Sequence, residues 1–98
     1  MNKAELIDSI ADRTGGKYTK AMIQDIIDIE KAIIKRTVAK GEEVKLVGFG
    51  TFESRKQAAR TVKTPNKQII NVSAKMTPKF SASKDFKDQV EQSEITEN

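Results

Sequence analysis

The start of the chain carries apolar residues at the spacing of an amphipathic α-helix. Between Leu6 and Ala11 the apolar positions recur three and four residues apart, which predicts a helix over residues 3–13. Asn2 is suited to cap this helix, and Glu5 follows it at the spacing of a capping box. The first predicted element is therefore a short helix with one apolar face.

A second and longer helical pattern follows the pair Gly15–Gly16, which interrupts the first pattern. The second helix is predicted over residues 20–39, with Thr19 as its N-cap candidate and Gly41 just past its end. Its apolar stripe, widened by Ile29, is broader than the short first helix can cover. We therefore expect a partner subunit to complete the core.

Past the second helix the pattern changes to the two-residue alternation of a β-strand. Val44 and Leu46 alternate with their neighbours in the way typical of a strand with one buried face. The segment Gly48–Gly50 then predicts a tight turn, with Phe49 and Phe52 directed into the core. The chain continues extended beyond this turn, so a strand–turn–strand unit is expected.

Residues 58–74 predict a long β-hairpin that projects as an arm. Two extended, polar and basic segments flank Thr64–Lys67, and the turn is expected near Pro65–Asn66. Both strands are short of core residues, and a hairpin without a core is marginal in water. We expect an arm that is mobile when free and ordered by a ligand.

The remainder of the chain returns to the body and ends in a helix. Ser81 or Ser83 is suited to cap it, and Phe86 and Val90 lie four positions apart on its apolar side. The pattern as a whole predicts an α+β fold in one domain over residues 1–92. Its segments are a helical body at 1–41, a sheet with the arm at 43–80, a C-terminal helix at 82–92 and an acidic flexible tail at 93–98.

Charge is distributed unevenly along the chain. The 18 Lys and Arg residues exceed the 14 Asp and Glu residues by four, yet residues 1–53 are neutral, with nine basic and nine acidic residues. Residues 54–80 carry seven basic and no acidic residues, and residues 81–98 carry two basic and five acidic residues. An acid-free stretch on a predicted arm favours binding to a polyanion over a merely solvated loop. Its cations are Arg55, Lys56, Arg60, Lys63, Lys67, Lys75 and Lys79.

The absence of certain residue types narrows the possible function classes. With no Cys and no His, the sequence excludes a disulfide framework, a thiolate zinc site, a Cys nucleophile and a Ser-His-Asp triad. The N-terminal segment carries Glu5 and has no apolar h-region, so no signal peptide is expected. The longest apolar runs are about three residues, so no membrane span is expected either.

Three motifs that suggest other functions are better explained by structure. The second helix mixes both charge signs, including Asp25 and Asp28, so it does not suit a helix that reads the major groove. Gly48–Gly50 lacks the further residues of a phosphate-binding loop. Asp8 and Asp12 lie on the expected wet face of the first helix with no His nearby, which disfavours a catalytic or metal site.

The basic segment with a proline at its tip is the strongest functional signal. Arg and Lys on a slender hairpin suit a groove lined by phosphates, and Arg suits a narrow minor groove in particular. Pro65 is rigid and apolar and has no N–H. It either shapes the turn or forms a wedge between bases, and the pattern alone leaves both roles open.

The order and spacing of several motifs resemble the bacterial histone-like HU/IHF family, and the HU branch in particular. The resemblance extends over about residues 1–90. The motifs that carry it are Met1–Ile7, Gly48–Glu53, Arg55, Ala58–Arg60, Lys63–Pro65, Pro78–Phe80 and Lys84–Asp88.

This resemblance implies an intertwined homodimer. Helices from both subunits would form its body, and a three-stranded antiparallel sheet in each subunit would extend into a β-ribbon arm. The arms would bind double-stranded DNA in the minor groove, and Pro65 would intercalate between base pairs and bend the duplex, as in known architectural minor-groove binders. The matching DNA-binding positions are Arg55, Arg60 and Lys63 on the arm and its base, and Lys3, Lys84 and Lys87 on the body. The remaining cations of the basic segment, Lys56, Lys67, Lys75 and Lys79, are expected to bind DNA with them.

The arm tip departs from the usual family pattern. The family typically has Arg-Asn-Pro-Gln-Thr-Gly where this chain has Lys63–Gln68, so the tip Gly is missing and the return strand is one residue shorter. We expect Asn66 to supply the left-handed backbone conformation that Gly would otherwise supply.

The expected function is that of a DNA-architectural protein with little sequence preference and a preference for nicked, gapped or bent DNA. No cofactor, metal, small-molecule substrate, membrane contact or enzymatic activity is expected, and the expected location is the cytoplasm, with the nucleoid. Two alternatives remain open. One is a sequence-specific bending factor of the IHF type, and the other is a dimerising module that binds RNA or another polyanion.

Overall fold

The structure, a computed structural model, describes residues 1–93 and contains three helices and five strands in that range. In chain order these are α1 (Lys3–Arg13), α2 (Lys20–Ala39), β1 (Val44–Leu46), β2 (Gly50–Gln57), β3 (Arg60–Lys63), β4 (Ile69–Val72), β5 (Lys75–Ala82) and α3 (Lys84–Glu91). The elements form two compact units, one over residues 1–36 and one that begins at Thr37. The assignment of residues 1–92 to a single domain stays a prediction. The predicted tail lies outside the described residues, apart from Ser93.

Local capping interactions set the limits of the helices in the first unit. The Glu5 N–H donates to Asn2 Oδ1 (2.9 Å), which confirms Asn2 as the N-cap of α1. The Met22 N–H donates to Thr19 Oγ1 (3.2 Å) at the start of α2. Between the helices, Gly15–Gly16 takes positive φ values of 64° and 76°, which residues with a Cβ rarely adopt. Both helices therefore have the bounds predicted from the sequence.

The buried core of the first unit is small. Ile7 and Ile23 are only 6% and 4% exposed, whereas Met22, Ile26 and Ile29 on α2 are 51%, 62% and 58% exposed. This helix therefore presents an apolar stripe to solvent in the single chain, as the breadth of its sequence pattern predicts. Among the described residues, no helix combines the length and apolar character that crossing a membrane requires.

Two ion pairs join α1 and α2 on the surface of the first unit. Lys20 Nζ lies 2.9 Å from Asp8 Oδ1, and Lys3 Nζ lies 2.5 Å from Asp28 Oδ1. The hydrogen bond to Asp8, followed by the Coulomb attraction of the same carboxylate, raises the pKa of Lys20 above its usual value. Exposed pairs contribute little to stability, so their main consequence is that two surface carboxylates already have a cationic partner.

The second unit begins at the end of α2 and continues into an antiparallel sheet. Gly41 closes the helix with a φ of 87°, and its N–H donates to the Val38 carbonyl (2.9 Å), as expected for the residue just past a helix end. The three-stranded sheet has the order β1-β2-β5, with Phe52 of the central strand between Val44 and Phe80. The predicted three-stranded antiparallel sheet is thus confirmed.

A cluster of phenylalanine rings packs beside this sheet. The ring centroids of Phe52 and Phe80 lie 4.8 Å apart on neighbouring strands, and those of Phe49 and Phe86 lie 5.2 Å apart. A Cβ on Gly50 would lie 2.6 Å from the Phe80 ring, so only glycine fits there without movement of its neighbours. Phe52 is partly buried in this cluster as predicted, but Phe49 is 44% exposed in the single chain, so the prediction that Phe49 is directed into the core is wrong for the single chain.

Helix α3 begins at Lys84, two residues later than predicted, because Ser83 is its N-cap. The Phe86 N–H donates to Ser83 Oγ (3.3 Å), which selects Ser83 over the other serine candidate. Strand β5 extends two residues beyond the predicted end of the sheet, since Ala82 still pairs with Gly50. The strand and the helix are therefore separated by the cap residue alone.

The arm, defined here as residues 58–74, is hydrogen-bonded separately from the sheet. Strands β3 and β4 pair antiparallel along their whole length, which confirms the predicted hairpin. Two residues on each side, Ala58–Ala59 and Ser73–Ala74, belong to neither ladder. Because the numbers are equal, the arm keeps the register of the sheet and no bulge shifts it.

Candidate nucleic-acid interface

The pairing register of the strands determines on which face of the three-stranded sheet each cation lies. In an antiparallel ladder, directly opposed residues point to the same side, and side chains alternate along each strand. Arg55 lies opposite Thr77, and Lys75 and Lys79 are two residues from Thr77 on the same strand. Arg55, Lys75 and Lys79 therefore share one face, called the basic face below. Glu53, opposite Lys79, adds a negative charge to it.

Lys56 lies on the opposite face of the sheet. It pairs with Met76 in the register, and the same face carries Phe52 and Phe80 of the aromatic cluster. Lys56 is exposed, but the structure does not bring it together with the cations of the basic face. Arg55 and Lys56, which are adjacent in the sequence, thus lie on opposite faces of the sheet.

Lys45, which was not among the cations predicted to bind DNA, is also a member of the basic face. Lys45 opposes Thr51, which is four residues from Arg55 on β2 and therefore points to the same side. The side chain of Lys45 is exposed. Its alternation with the apolar Val44 and Leu46 was the signal that could have identified it.

The cations of the arm lie on two different sides of the ribbon. Arg60 shares a side with Val62 and Ile70, while Lys63 shares the other side with Ile69. Ile69 is 70% exposed and Ile70 is 48% exposed, so the arm presents more apolar surface than its polar and basic composition predicts. Each side of the arm therefore combines a cation with an aliphatic surface.

The tip of the arm is a three-residue loop, Pro65–Lys67, between Thr64 and Gln68. Pro65 and Lys67 are both exposed. The prediction of a left-handed Asn66 is wrong, because the residue with positive φ (64°) is Lys67. The Lys67 N–H donates to the Thr64 carbonyl (2.9 Å), which closes a β-turn two residues before β4 begins at Ile69. In hairpin loops of this length, the residue after the turn takes the left-handed conformation.

The body cations predicted from the family resemblance differ in their surroundings. Lys84 and Lys87 are exposed and lie three residues apart on α3, so they project from neighbouring positions of that helix. Lys3 is the first residue of α1 and donates to Asp28. A phosphate that binds Lys3 therefore has to compete with this carboxylate.

The site offers an exposed surface of positive charge on a sheet and a slender arm. Among residues 1–93, no group of three or more acidic side chains is placed to hold a metal ion. Asp8, one of the two carboxylates considered in the sequence, is paired with Lys20. The chemistry that the described residues support is hydrogen bonding and ion pairing to an anionic ligand.

Sequence comparison relates almost the whole chain to known proteins. The sequence model of a family described as bacterial DNA-binding proteins matches residues 1–91. The DNA-binding protein HU of Clostridium pasteurianum is 45% identical over 91 residues, which cover 92% of this chain and 98% of the relative. The HU protein of Thermus thermophilus is 41% identical over 91 residues, which cover 92% of each chain.

Solved structures agree with the sequence comparison. A cocrystal structure of Anabaena HU with DNA superimposes with a TM-score of 0.86 at 35% identity, and the match covers 95% of this chain and 100% of that chain. HU from Thermotoga maritima superimposes with a TM-score of 0.64 at 33% identity, covering 92% and 98% of the two chains.

Proposed function

The chain belongs to the bacterial DNA-binding protein family, and from that premise we propose that it is a DNA-architectural protein of the HU type. It binds double-stranded DNA through its basic face and arm, with little sequence preference, and it bends the duplex. The HU relatives and the Anabaena HU–DNA cocrystal similarity support this function. The role of the protein is therefore to shape DNA, and no catalytic step belongs to it.

The observation that carries the proposal is the grouping of cations beside an arm that contains no carboxylate. Arg55, Lys75 and Lys79 share one face of the sheet. Residues 54–80 add no acidic residue to this surface. Such a surface neutralises phosphates without reading base edges, which gives strong affinity and weak sequence preference.

The working unit in this proposal is a homodimer. The apolar stripe of α2, represented by Met22, Ile26 and Ile29, is more than half exposed in the single chain. Burial of such a stripe against a second copy is favourable, at about 25 cal/mol per Å² of apolar surface. A dimer also supplies two arms, which is the number needed to hold a bent duplex from both sides.

Pro65 supplies the bend in this proposal. It is exposed at the end of the arm, where its apolar ring can enter a base step. Unstacking one step costs a few kcal/mol, and the extra contacts of a bent duplex offset that cost. Nicked, gapped or bent DNA is already partly unstacked, so the protein should prefer it, and in the cell the protein should associate with the nucleoid.

The proposal is tested by binding to intact, nicked and four-way-junction DNA at two salt concentrations. If the dimer neutralises ~6–10 phosphates, affinity should fall ~10³–10⁵-fold between 50 and 200 mM salt. An affinity that does not respond to salt would refute the proposal. In competition between random and selected sequences, a preference above ~10³-fold would favour a sequence-specific factor instead. A structured RNA that outcompetes DNA would favour a general polyanion binder.

A further inference from the structure

The loop that carries Pro65 is closed almost entirely by one residue. The Thr64 N–H donates to the Gln68 carbonyl (2.9 Å), and the Thr64 carbonyl accepts from the Lys67 N–H (2.9 Å). The Thr64 hydroxyl accepts from the Gln68 N–H (3.1 Å) and also lies 3.3 Å from the Gln68 carbonyl as a donor. Both the backbone groups and the side chain of Thr64 are therefore engaged across the loop.

Thr64 also differs from its neighbours in solvent exposure. Within residues 63–68, Thr64 is the one position that is partly buried, while its neighbours are exposed. A half-buried, fully bonded threonine at the end of a two-stranded ribbon is a local anchor. It joins the last residues of β3 to the first residues of β4 where the ladder would otherwise end.

The loop also contains a conformation that it must hold against an intrinsic cost. Lys67 has a φ of 64°, in a region that costs residues with a Cβ about 1–2 kcal/mol. The bonds that Thr64 makes to Lys67 and Gln68 lie on either side of this strained position. These bonds therefore hold the backbone on both sides of the strained residue.

We infer that Thr64 is a positioning residue. The hydrogen bonds between its hydroxyl and Gln68 hold Pro65 in the orientation in which its ring enters the base step. This inference rests on the proposed intercalation of Pro65. The pyrrolidine ring is attached directly to the Thr64 carbonyl carbon, so fixing that peptide group fixes where the ring points. A pre-oriented wedge does not have to be ordered when DNA binds, which favours the kinked complex over the unkinked one.

The test distinguishes the effect of the Thr64 hydroxyl from the effect of the side-chain shape. Thr64→Val keeps the branched shape and removes the hydroxyl, while Thr64→Ser keeps the hydroxyl and serves as the matched control. Pro65→Ala tests the wedge itself. Each variant is mixed at saturating concentration with a short duplex that carries a fluorescent label at each end. Energy transfer between the two labels measures the fraction of kinked complex. A separate titration measures the affinity for DNA.

We expect Thr64→Val to lower the ratio of kinked to unkinked complex by about 2- to 10-fold, the value of one net hydrogen bond. The affinity for DNA should change much less, since the cations are untouched, and Thr64→Ser should kink DNA like the unmodified protein. In the free protein, the Gln68 amide should exchange with solvent more slowly in the unmodified and serine forms than in the valine form.

Each other outcome has a distinct meaning. If Pro65→Ala loses the kink but Thr64→Val keeps it, the positioning role is wrong and the wedge stands. If Thr64→Val and Thr64→Ser lose the kink equally, the hydroxyl is not the cause and the positioning role is wrong. If Pro65→Ala keeps the full kink, intercalation itself is wrong, and the role of Thr64 is refuted with it.

Discussion

Arg55 and Lys56 are a matched pair for testing which face of the sheet binds DNA. They are adjacent, both exposed and both cationic, yet Arg55 opposes Thr77 and Lys56 opposes Met76 on the other face. Replacing either with Gln removes one charge from each subunit. We predict that Arg55→Gln weakens DNA binding and reduces its salt dependence, whereas Lys56→Gln does so far less.

The expected size follows from the number of contacts. Each phosphate contact contributes about 0.9 to the slope of log affinity against log salt concentration. A dimer presents two copies of Arg55, so loss of both contacts lowers the slope by about 1.8. Between 50 and 200 mM salt, the unmodified protein should therefore lose about 12-fold more affinity than Arg55→Gln. This ratio corresponds to about 1.5 kcal/mol.

The assay is a fluorescence anisotropy titration of a labelled duplex at four salt concentrations, with circular dichroism to confirm that both variants fold. Lys56→Gln is the control for loss of charge without loss of the contact. The assignment of the basic face would be refuted if both variants reduced the slope equally, or if Lys56→Gln reduced it more.

Three further predictions concern single residues of the second unit. Lys45→Gln should reduce the salt slope in the same titration, as Arg55→Gln does, because Lys45 shares the basic face; an unchanged slope would exclude it from the interface. Gly50→Ala should lower the free energy of unfolding by about 1–3 kcal/mol in urea denaturation, since the added Cβ would lie 2.6 Å from the Phe80 ring; unchanged stability would contradict the tight contact. Lys67→Gly should slow amide exchange at positions 67 and 68, because glycine relieves the left-handed strain, whereas Lys67→Val should speed it; the opposite order would contradict the loop geometry.

The helices and the hairpin were predictable because their signals are local. Asn2 and Thr19 cap the helices to which they were assigned, and the interrupting glycines between the helices have positive φ. A cap bonds an amide three residues away, so the atoms that decide it are close in the sequence. The position of the hairpin turn at Pro65 follows from the same kind of short-range preference.

The conformation within the tip was not predictable in the same way. Asn66 has the greater intrinsic preference for the left-handed region, yet Lys67 adopts it. The reason is that the pairing of β3 with β4 determines where the chain must reverse, and Lys67 is the last residue of the turn that makes this reversal. Closure of the loop therefore outweighs the preference of the single residue.

Residue type and short-range spacing were enough to predict the helices and strands of this protein, the acid-free arm and the excess of apolar surface on α2. Which cations share a surface depends instead on how strands that are distant in the sequence pair with one another. Arg55 and Thr77, which define the basic face, are 22 residues apart in the chain. A one-residue change in their register would move every side chain of β5 to the opposite face. The seven cations of residues 54–80 were visible as a charge in the sequence, and alternation along β2 is enough to place Lys56 on the face opposite Arg55. The pairing of β2 with β5 and with β1 then brings Lys75, Lys79 and Lys45 to the face of Arg55.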